Sequence, residues 1–199
     1  TPNTGVFDQG EFIWRDEAGD DTGDGDYTYP LGGGFNGEDY DYCDIIEFRL
    51  THDGSYLYVM IKMANSSGLY LLSKLHVIIA IDANNIPGSG ATYFPCSADL
   101  KITSQHKAEY FISLEYGRYV VYDSYYLVKG TGQCAWKTKY NCIEASFSLS
   151  IFGGTPEIWW ISVVVGIDDV VTGHYNLLEV YDVATEYNPG GGCLSTASY

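Results

Sequence analysis

Apolar and polar residues alternate along much of the chain with the period of a β-strand. Ile46, Phe48 and Leu50 are each separated by a polar or charged residue. Successive side chains of a strand point to opposite faces, so this alternation predicts a strand with one buried face. A turn at residues 52–55, with Asp-Gly at its centre, and a second alternating segment at 56–64 follow directly. Together these segments predict a β-hairpin.

The same periodicity predicts strands along the rest of the chain. They are placed at residues 11–15, 75–82, 100–103, 109–115, 119–128, 143–151, 158–167 and 178–183. No segment keeps a 3.6-residue period over three turns. About nine or ten strands at this spacing predict an all-β fold, an antiparallel, jelly-roll-like β-sandwich of two sheets. One domain is expected over residues 1–199, with an N-terminal arm at 1–10 and an extended tail at 188–199.

Composition agrees with strands and narrows the range of partners. The chain contains 19 Tyr but only 10 Lys and Arg together, and Tyr favours the pleated surface of a sheet. Its formal net charge of −16 repels phosphate backbones and anionic headgroups, so nucleic acid is an unfavourable partner. No apolar run approaches the roughly 20 residues that span a bilayer, so membrane insertion is not expected.

The cysteines indicate an oxidising compartment. Cys134 and Cys142 bracket a short polar stretch and predict a local disulfide. Cys43 with Cys96 is the second predicted bridge, which leaves Cys193 free or paired between chains. Unlinked, buried thiols are the alternative. The chain also begins without Met, which suggests a processed terminus, so a secreted or cell-surface location is expected.

An acidic, glycine-rich segment follows the first confidently predicted strand. Six carboxylates fall within residues 16–26, interleaved with glycines that let the backbone turn tightly. Convergent carboxylates repel one another unless a cation lies among them, and Ca²⁺ accepts six to eight oxygen ligands in flexible geometry. The segment therefore predicts a calcium site, against the alternative of a solvated acidic turn. Its candidate ligands are Asp20, Asp21, Asp24 and Asp26.

Two motifs resemble a known family. The first is GDDTGDGDYTYP at residues 19–30, and the second is the apolar strand that ends at Asp82, followed by Pro-Gly-Ser-Gly at 87–90. Both are similar to the C-terminal module of glucodextranase, a β-sandwich of secreted archaeal and bacterial proteins related to DOMON-like and carbohydrate-binding modules. The resemblance covers residues 12 to about 185. It implies sugar binding or cell-surface anchoring, and it makes Asp20, Asp21 and Asp82 the preferred calcium ligands.

No recognisable catalytic motif accompanies these features. The four histidines lie far apart in sequence, and each is expected on the surface or at a strand end. No glycine loop that could hold a phosphate opens a helix, so nucleotide binding has no support. A non-catalytic protein without an organic cofactor is therefore predicted.

Two functions remain open on the sequence alone. The favoured one is a self-associating subunit of an extracellular filament, tubule or surface layer, held by a donated N-terminal arm. The alternative is a carbohydrate-binding or surface-anchoring module, in which exposed aromatic rings contact sugars. The candidate rings are Tyr119, Tyr122, Tyr125, Tyr126 and Trp136.

Overall fold

The computed structural model describes most of the β-rich part of the chain. The described residues are 5–16, 18–19, 44–65, 75–96, 98, 100–102, 105–153, 156, 159–168, 177–185 and 194–196. Predictions that concern Asp20, Asp21, Asp24, Asp26, Cys43 and Cys193 lie outside these residues.

Strands account for nearly all of the regular structure that is described. In chain order they are β1 (Val6–Asp8), β2 (Glu11–Arg15), β3 (Ile45–His52), β4 (Tyr56–Met63), β5 (Leu75–Asp82), β6 (Leu100–Ile102), β7 (Tyr110–Glu115), β8 (Arg118–Asp123), β9 (Val128–Gly132), β10 (Ala135–Lys137), β11 (Cys142–Ser148), β12 (Trp160–Asp168), β13 (Leu177–Thr185) and β14 (Leu194–Thr196). Two short 3₁₀ helices, Thr138–Tyr140 and Leu149–Ile151, lie on either side of β11. Neither is long and apolar enough to cross a membrane.

These strands form two large antiparallel sheets. Sheet 1 has the order β1-β2-β3-β4-β11-β10, and sheet 2 has the order β13-β12-β5-β7-β8-β9. A separate two-stranded sheet joins β14 to β6. The predicted all-β sandwich of two antiparallel sheets is confirmed, with more and shorter strands than the nine or ten expected.

The main core lies between the inner faces of the two sheets. On β4 the inward residues are Leu57, Val59, Ile61 and Met63, as the alternation predicted, and all four are buried. They share one apolar cluster with inward residues of sheet 2 such as Ile79. Each fully buried aliphatic side chain of this kind contributes about 1.5–3 kcal/mol through removal of apolar surface from water.

β5 is buried along both of its faces, which explains its unbroken apolar sequence. Ile79 and Ile81 point into the main core, whereas Ile78 and Ala80 pack in a second apolar cluster on the outer side of sheet 2. The described residues between 91 and 108, here called the cover segment, supply that cluster with side chains such as Phe94. Sheet 2 therefore lies between two apolar layers.

The predicted strand at 119–128 is wrong as a single element, because a turn divides it into β8 and β9. The Asp123 carboxylate accepts hydrogen bonds from the backbone N–H groups of Tyr125 (2.9 Å) and Leu127 (3.0 Å). Tyr126 adopts a left-handed backbone conformation with φ of 61°. An Asp side chain that bonds to backbone two residues ahead is a common way to begin a turn, and it overrides the β propensity of the aromatic residues around it.

Both chain ends depart from prediction as well. Part of the N-terminal arm forms β1 and pairs with β2 of its own chain, with Val6 opposite Ile13. The two-residue turn between them consists of Gln9 and Gly10, with φ of 50° and 86°. Positive φ at both positions matches the right-handed twist of a tight hairpin. In the predicted tail, β14 pairs with β6, so this part is not a simple appendage.

The predicted disulfides are wrong. Cys134, Cys142 and Cys96 all carry free thiols. Cys142 lies opposite Lys137 across β10 and β11, and Cys134 precedes Lys137 by three residues. At about 3.3 Å per residue this offset is roughly 10 Å, beyond the Cα separation of about 7 Å that a disulfide tolerates. Because Cys96 is free, the second predicted bridge, between Cys43 and Cys96, is not formed either.

Candidate functional site

The outer face of sheet 1 carries an open groove of about 540 Å³. Its lining comes from five neighbouring strands, β2, β3, β4, β11 and β10, and from the two residues that precede β10. The lining residues are Glu11, Arg49, Thr51, Tyr58, Val59, Met60, Gln133, Cys134, Ala135, Glu144, Ala145 and Ser146. Most of these side chains are polar or amphipathic.

The alternation of β4 sets the floor of the groove. Because its odd-numbered residues fill the core, Tyr56, Tyr58 and Met60 project outward. Tyr56 and Tyr58 are 49% and 39% exposed, and their ring centroids are 6.4 Å apart. Two rings and a thioether thus form an apolar strip along the outer side of β4, next to the Ser146 hydroxyl on β11.

Tyr58 is held in place by the hairpin turn that precedes β4. Its hydroxyl donates a hydrogen bond to the Asp53 carboxylate at 2.8 Å. That carboxylate also accepts the backbone N–H groups of Tyr56 (2.7 Å) and Ser55 (2.8 Å). These bonds, the one from Tyr56 above all, lower the pKa of Asp53, and the bond to Asp53 raises the pKa of Tyr58. The Asp-Gly turn therefore positions an exposed ring.

Arg49 lies on β3 beside this strip, between two carboxylates. Its Nε donates to Glu47 Oε1 at 2.8 Å, and its Nη1 lies 3.2 Å from Glu11 Oε2. The hydrogen bond to Glu47 is the main cause of the raised pKa of Arg49. Glu47 also pairs with Arg15, whose Nε lies 3.5 Å from Glu47 Oε2. The charge of Arg49 is therefore compensated by its neighbours, and the guanidinium contributes hydrogen-bond donors to the groove.

The arrangement of the groove suits a ligand with both polar and apolar surface. A ring and a thioether can cover C–H groups, while the carboxylates, hydroxyls, amide and guanidinium around them exchange hydrogen bonds. Sugars present this combination. The groove contains no pair of groups that the structure holds in a nucleophile–base hydrogen bond.

The aromatic residues that the sequence proposed for sugar binding do not form one surface. Tyr119 packs edge-on against Phe147 of the main core, and Tyr122 packs against the second cluster. Tyr126 stacks on Phe111, while Tyr125 stands 80% exposed at the adjacent turn. These four rings are distributed over the inner side, the outer side and one turn of sheet 2.

Trp136, the fifth proposed residue, lies between the two sheets. Its indole N–H is 3.2 Å from the backbone oxygen of Glu115, and its ring packs against the main core. The exposed Tyr116 ring lies beside it, with centroids 5.9 Å apart. Trp136 therefore covers one opening of the sandwich.

Asp82, the described member of the predicted calcium site, is buried in a network of its own. Its Oδ1 accepts the backbone N–H of Asn85 at 2.7 Å and that of Asn84 at 3.3 Å, and its Oδ2 lies 2.9 Å from His106 Nδ1. The His106 ring stacks on Trp160 with centroids 4.0 Å apart. These partners use most of the acceptor capacity of the carboxylate. Asp82 therefore anchors the loop after β5.

The entry to the acidic segment lies elsewhere. The backbone N–H of Gly19 donates to the buried Asp44 carboxylate at 2.7 Å, and the Asp44 carbonyl accepts the N–H of Ala64 after β4. Asp82 follows Ile81, which pairs with Tyr110 on β7. The Tyr110 ring contacts Phe152, which follows the end of β11, and this is the end of the sandwich opposite to Ala64. Asp82 and Asp44 thus lie at opposite ends of the sandwich. Within the described residues, no three His, Cys, Asp or Glu side chains are grouped to hold a metal.

His76, predicted to lie on the surface or at a strand end, is the second residue of β5 and is not on the surface. This residue is fully buried on β5, and its Nε2 lies 2.6 Å from the hydroxyl of Ser113, which is also fully buried. A Ser–His contact also occurs in hydrolase active sites. Because both residues are fully buried and no substrate can reach them, we assign this contact to the packing of β5 against β7. His174 lies outside the described residues.

The chain matches a known protein family over most of its length. Residues 12–198 match the family described as the SLH-like C-terminal binding module of glucodextranase. The chain belongs to this family. The match confirms the resemblance noted in the sequence and extends it close to the C-terminus. The family description is that of a binding module, which agrees with the prediction of a non-catalytic protein. A comparison with curated proteins found no match.

The groove itself was not predicted as a site. The outward residues of β4 were recognisable from their alternation, yet exposed Tyr on a strand is common in sheets of any function. Only the placement of β11 between β4 and β10 brings Glu144 next to Met60 and Ala135 next to Glu144. The local sequence pattern of one strand does not predict which strands will lie beside it.

Proposed function

We propose that the protein is a non-catalytic, extracellular carbohydrate-binding or cell-surface-anchoring module, and that the groove on sheet 1 is where it binds glycans. The observation that carries this proposal is the strip formed by exposed Tyr58 and half-buried Met60, surrounded by carboxylates, hydroxyls and an amide in one groove. Membership of a binding-module family supports it. An anchoring role fits the same geometry, because a surface polysaccharide offers the same chemical groups as a soluble one.

The test is binding to a panel of soluble polysaccharides, measured by affinity electrophoresis and isothermal titration calorimetry. At least one polysaccharide is expected to bind. Tyr58→Ala should weaken that binding about tenfold, equivalent to about 1.4 kcal/mol, because the ring that contacts the sugar is lost. Tyr58→Phe keeps the ring and removes only the bond to Asp53, so it should retain most of the affinity.

Tyr125→Ala is the matched control, since this Tyr is more exposed and lies at the turn between β8 and β9. It should bind as the unaltered protein does. If Tyr125→Ala abolishes binding and Tyr58→Ala does not, the groove is the wrong site and the turn of sheet 2 is the right one. Absence of binding to every polysaccharide in the panel contradicts the proposed function itself.

A calcium site in the acidic segment remains part of the proposal. The segment supplies the carboxylates Asp20, Asp21, Asp24 and Asp26, and Gly19 at its start is held by Asp44. Asp82 is assigned to its own hydrogen-bond network instead, because it lies at the far end of the sandwich. Calcium that binds only the folded protein stabilises it by mass action.

Thermal unfolding with millimolar calcium and with excess EGTA tests this site. The midpoint is expected to fall by several degrees in EGTA. The double variant of Asp20→Asn with Asp21→Asn should lose this dependence on calcium. Asp82→Asn should keep it, although it lowers stability in both conditions. Equal midpoints for the unaltered protein, with no metal in elemental analysis, contradict the site.

Self-association through a donated arm loses the basis on which it was predicted. The segment that would leave the domain, Val6–Asp8, pairs with β2 of the same chain. Removal of residues 1–9 is therefore expected to lower the free energy of unfolding by exposing the edge of β2. The sedimentation coefficient should change only by the amount that the lost mass accounts for. A loss of assembly in the truncated protein would return the filament hypothesis to first place.

A further inference from the structure

The groove crosses the strands of sheet 1. Resting on the proposed function, we infer that it binds a chain of several uncharged sugar residues laid across the strands, rather than a single sugar. The lining begins at Glu11 on β2 and ends at the edge strand β10, with Gln133 just before that strand and Ala135 as its first residue. Five adjacent strands enclose four inter-strand spacings of about 4.8 Å, which amounts to about 19 Å. That length exceeds a single sugar ring and matches a segment of a polymer.

Cross-strand register arranges the floor of the groove into two rows. In the first row Tyr58 lies opposite Thr51 on one side and Ser146 on the other, so a ring stands between two hydroxyls. The second row consists of Arg49, Met60, Glu144 and Ala135. The rows lie two residues apart along the strands, which is about 7 Å. Repeated polar groups on both sides of an apolar strip fit a ligand that presents hydroxyls at regular intervals.

The charges of the groove exclude an acidic polymer. Arg49 is the only cationic side chain in the lining, and it is already paired with Glu47 and with Glu11. Glu144 adds a further exposed carboxylate, and the whole chain carries a formal charge of −16. An anionic polysaccharide would meet an unfavourable potential over the entire approach. An uncharged chain can use the same carboxylates as hydrogen-bond acceptors.

The experiment uses calorimetry with neutral oligosaccharides of increasing length and with one acidic polymer. The neutral ligands are maltose, maltotriose and maltohexaose, the corresponding isomalto-oligosaccharides, soluble starch and dextran, and the acidic ligand is alginate. Within the series that binds, the Kd is expected to fall at least about tenfold from the disaccharide to the hexasaccharide, because successive sugars reach further strands. Alginate is expected to show no binding at low salt.

A variant at one end of the groove separates length from overall affinity. Gln133 is exposed and precedes β10, so Gln133→Ala should fold normally. It is expected to weaken binding of the hexasaccharide about threefold, through loss of an amide contact, and to weaken binding of the disaccharide less. Loss of affinity for both ligands in equal proportion contradicts an extended binding mode.

The outcomes distinguish this inference from the proposed function. If no oligosaccharide or polysaccharide binds, the proposed function fails and this inference with it. If disaccharide and hexasaccharide bind equally well, the glycan function stands and the extended chain is overturned. If alginate binds as tightly as the neutral polymers, the assignment to uncharged chains is overturned.

Discussion

The outer faces of the two sheets differ in what lies on them. On sheet 2 the cover segment packs Phe94 and Ala108 against Ile78 and Phe111, so that this face is buried in a second apolar cluster. On sheet 1 the equivalent face carries exposed Tyr56 and Tyr58 and holds the groove. One sandwich therefore has one face committed to stability and another available for binding. The difference can be seen in the strands themselves, since β5 is buried at every position while β4 alternates.

The largest expected effect is on the covered face. Phe111 is fully buried and contacts the Phe94 ring, with centroids 5.6 Å apart. Phe111→Ala should lower the free energy of unfolding by about 3–5 kcal/mol, because it leaves a cavity between the sheet and the cover segment. Denaturant unfolding monitored by fluorescence measures the change. Tyr56→Ala on the open face is the control, and it should lie within about 0.5 kcal/mol of the unaltered protein. Similar losses in both variants would mean that the two faces do not differ.

Two glycines with similar backbone angles give a sharper comparison. Gly90, at the start of the covered side, has φ of 92°, and a Cβ there would lie 2.6 Å from the backbone oxygen of Ala108. Gly54, in the hairpin turn of sheet 1, has φ of 88°, and nothing lies within 4 Å of its added Cβ. Gly54→Ala should cost about 1–2 kcal/mol from the left-handed conformation alone. Gly90→Ala should cost more, because the backbone of the cover segment must also move.

Chemical denaturation of both variants tests this difference directly. If Gly90→Ala folds and loses no more free energy of unfolding than Gly54→Ala does, the backbone of the cover segment moves at little cost. Phe111→Ala would then be expected to lose less than the cavity estimate as well.

The smallest expected effect concerns the open face and acid pH. Hydrogen bonds from Tyr56, Ser55 and Tyr58 lower the pKa of Asp53 in the folded protein. A carboxylate with a lowered pKa contributes stability above its unfolded pKa of about 3.9 and loses that contribution as the pH falls through its folded pKa. The stability difference between the unaltered protein and Asp53→Ala should therefore be constant from neutral pH to about pH 4 and shrink below it. Urea unfolding at a series of pH values measures it, and a difference that grows on acidification would contradict the assigned bonds.

Local pattern was sufficient for much of this fold. The bounds of β2 and β5 agree with prediction, and the inward set of β4 follows from alternation alone, because a strand has a period of two wherever one face is buried. The motifs at residues 19–30 and at Asp82 were sufficient to predict the family to which the chain belongs. The negative charge predicts that nucleic acid is an unfavourable partner, and this stays a prediction.

Tertiary structure alone decided the rest, since it depends on contacts between residues distant in sequence. Two differences from prediction are local exceptions. The Asp123 carboxylate bonds to backbone N–H groups two and four residues ahead and so interrupts the strand, and β1 pairs with β2 across a two-residue turn. Cys134 and Cys142 are close in sequence, yet the register of β10 and β11 keeps their thiols apart. Tyr58 and Tyr122 are both strand tyrosines with similar neighbours in sequence. What covers the face on which each one lies makes the first a candidate binding residue and the second part of an apolar cluster.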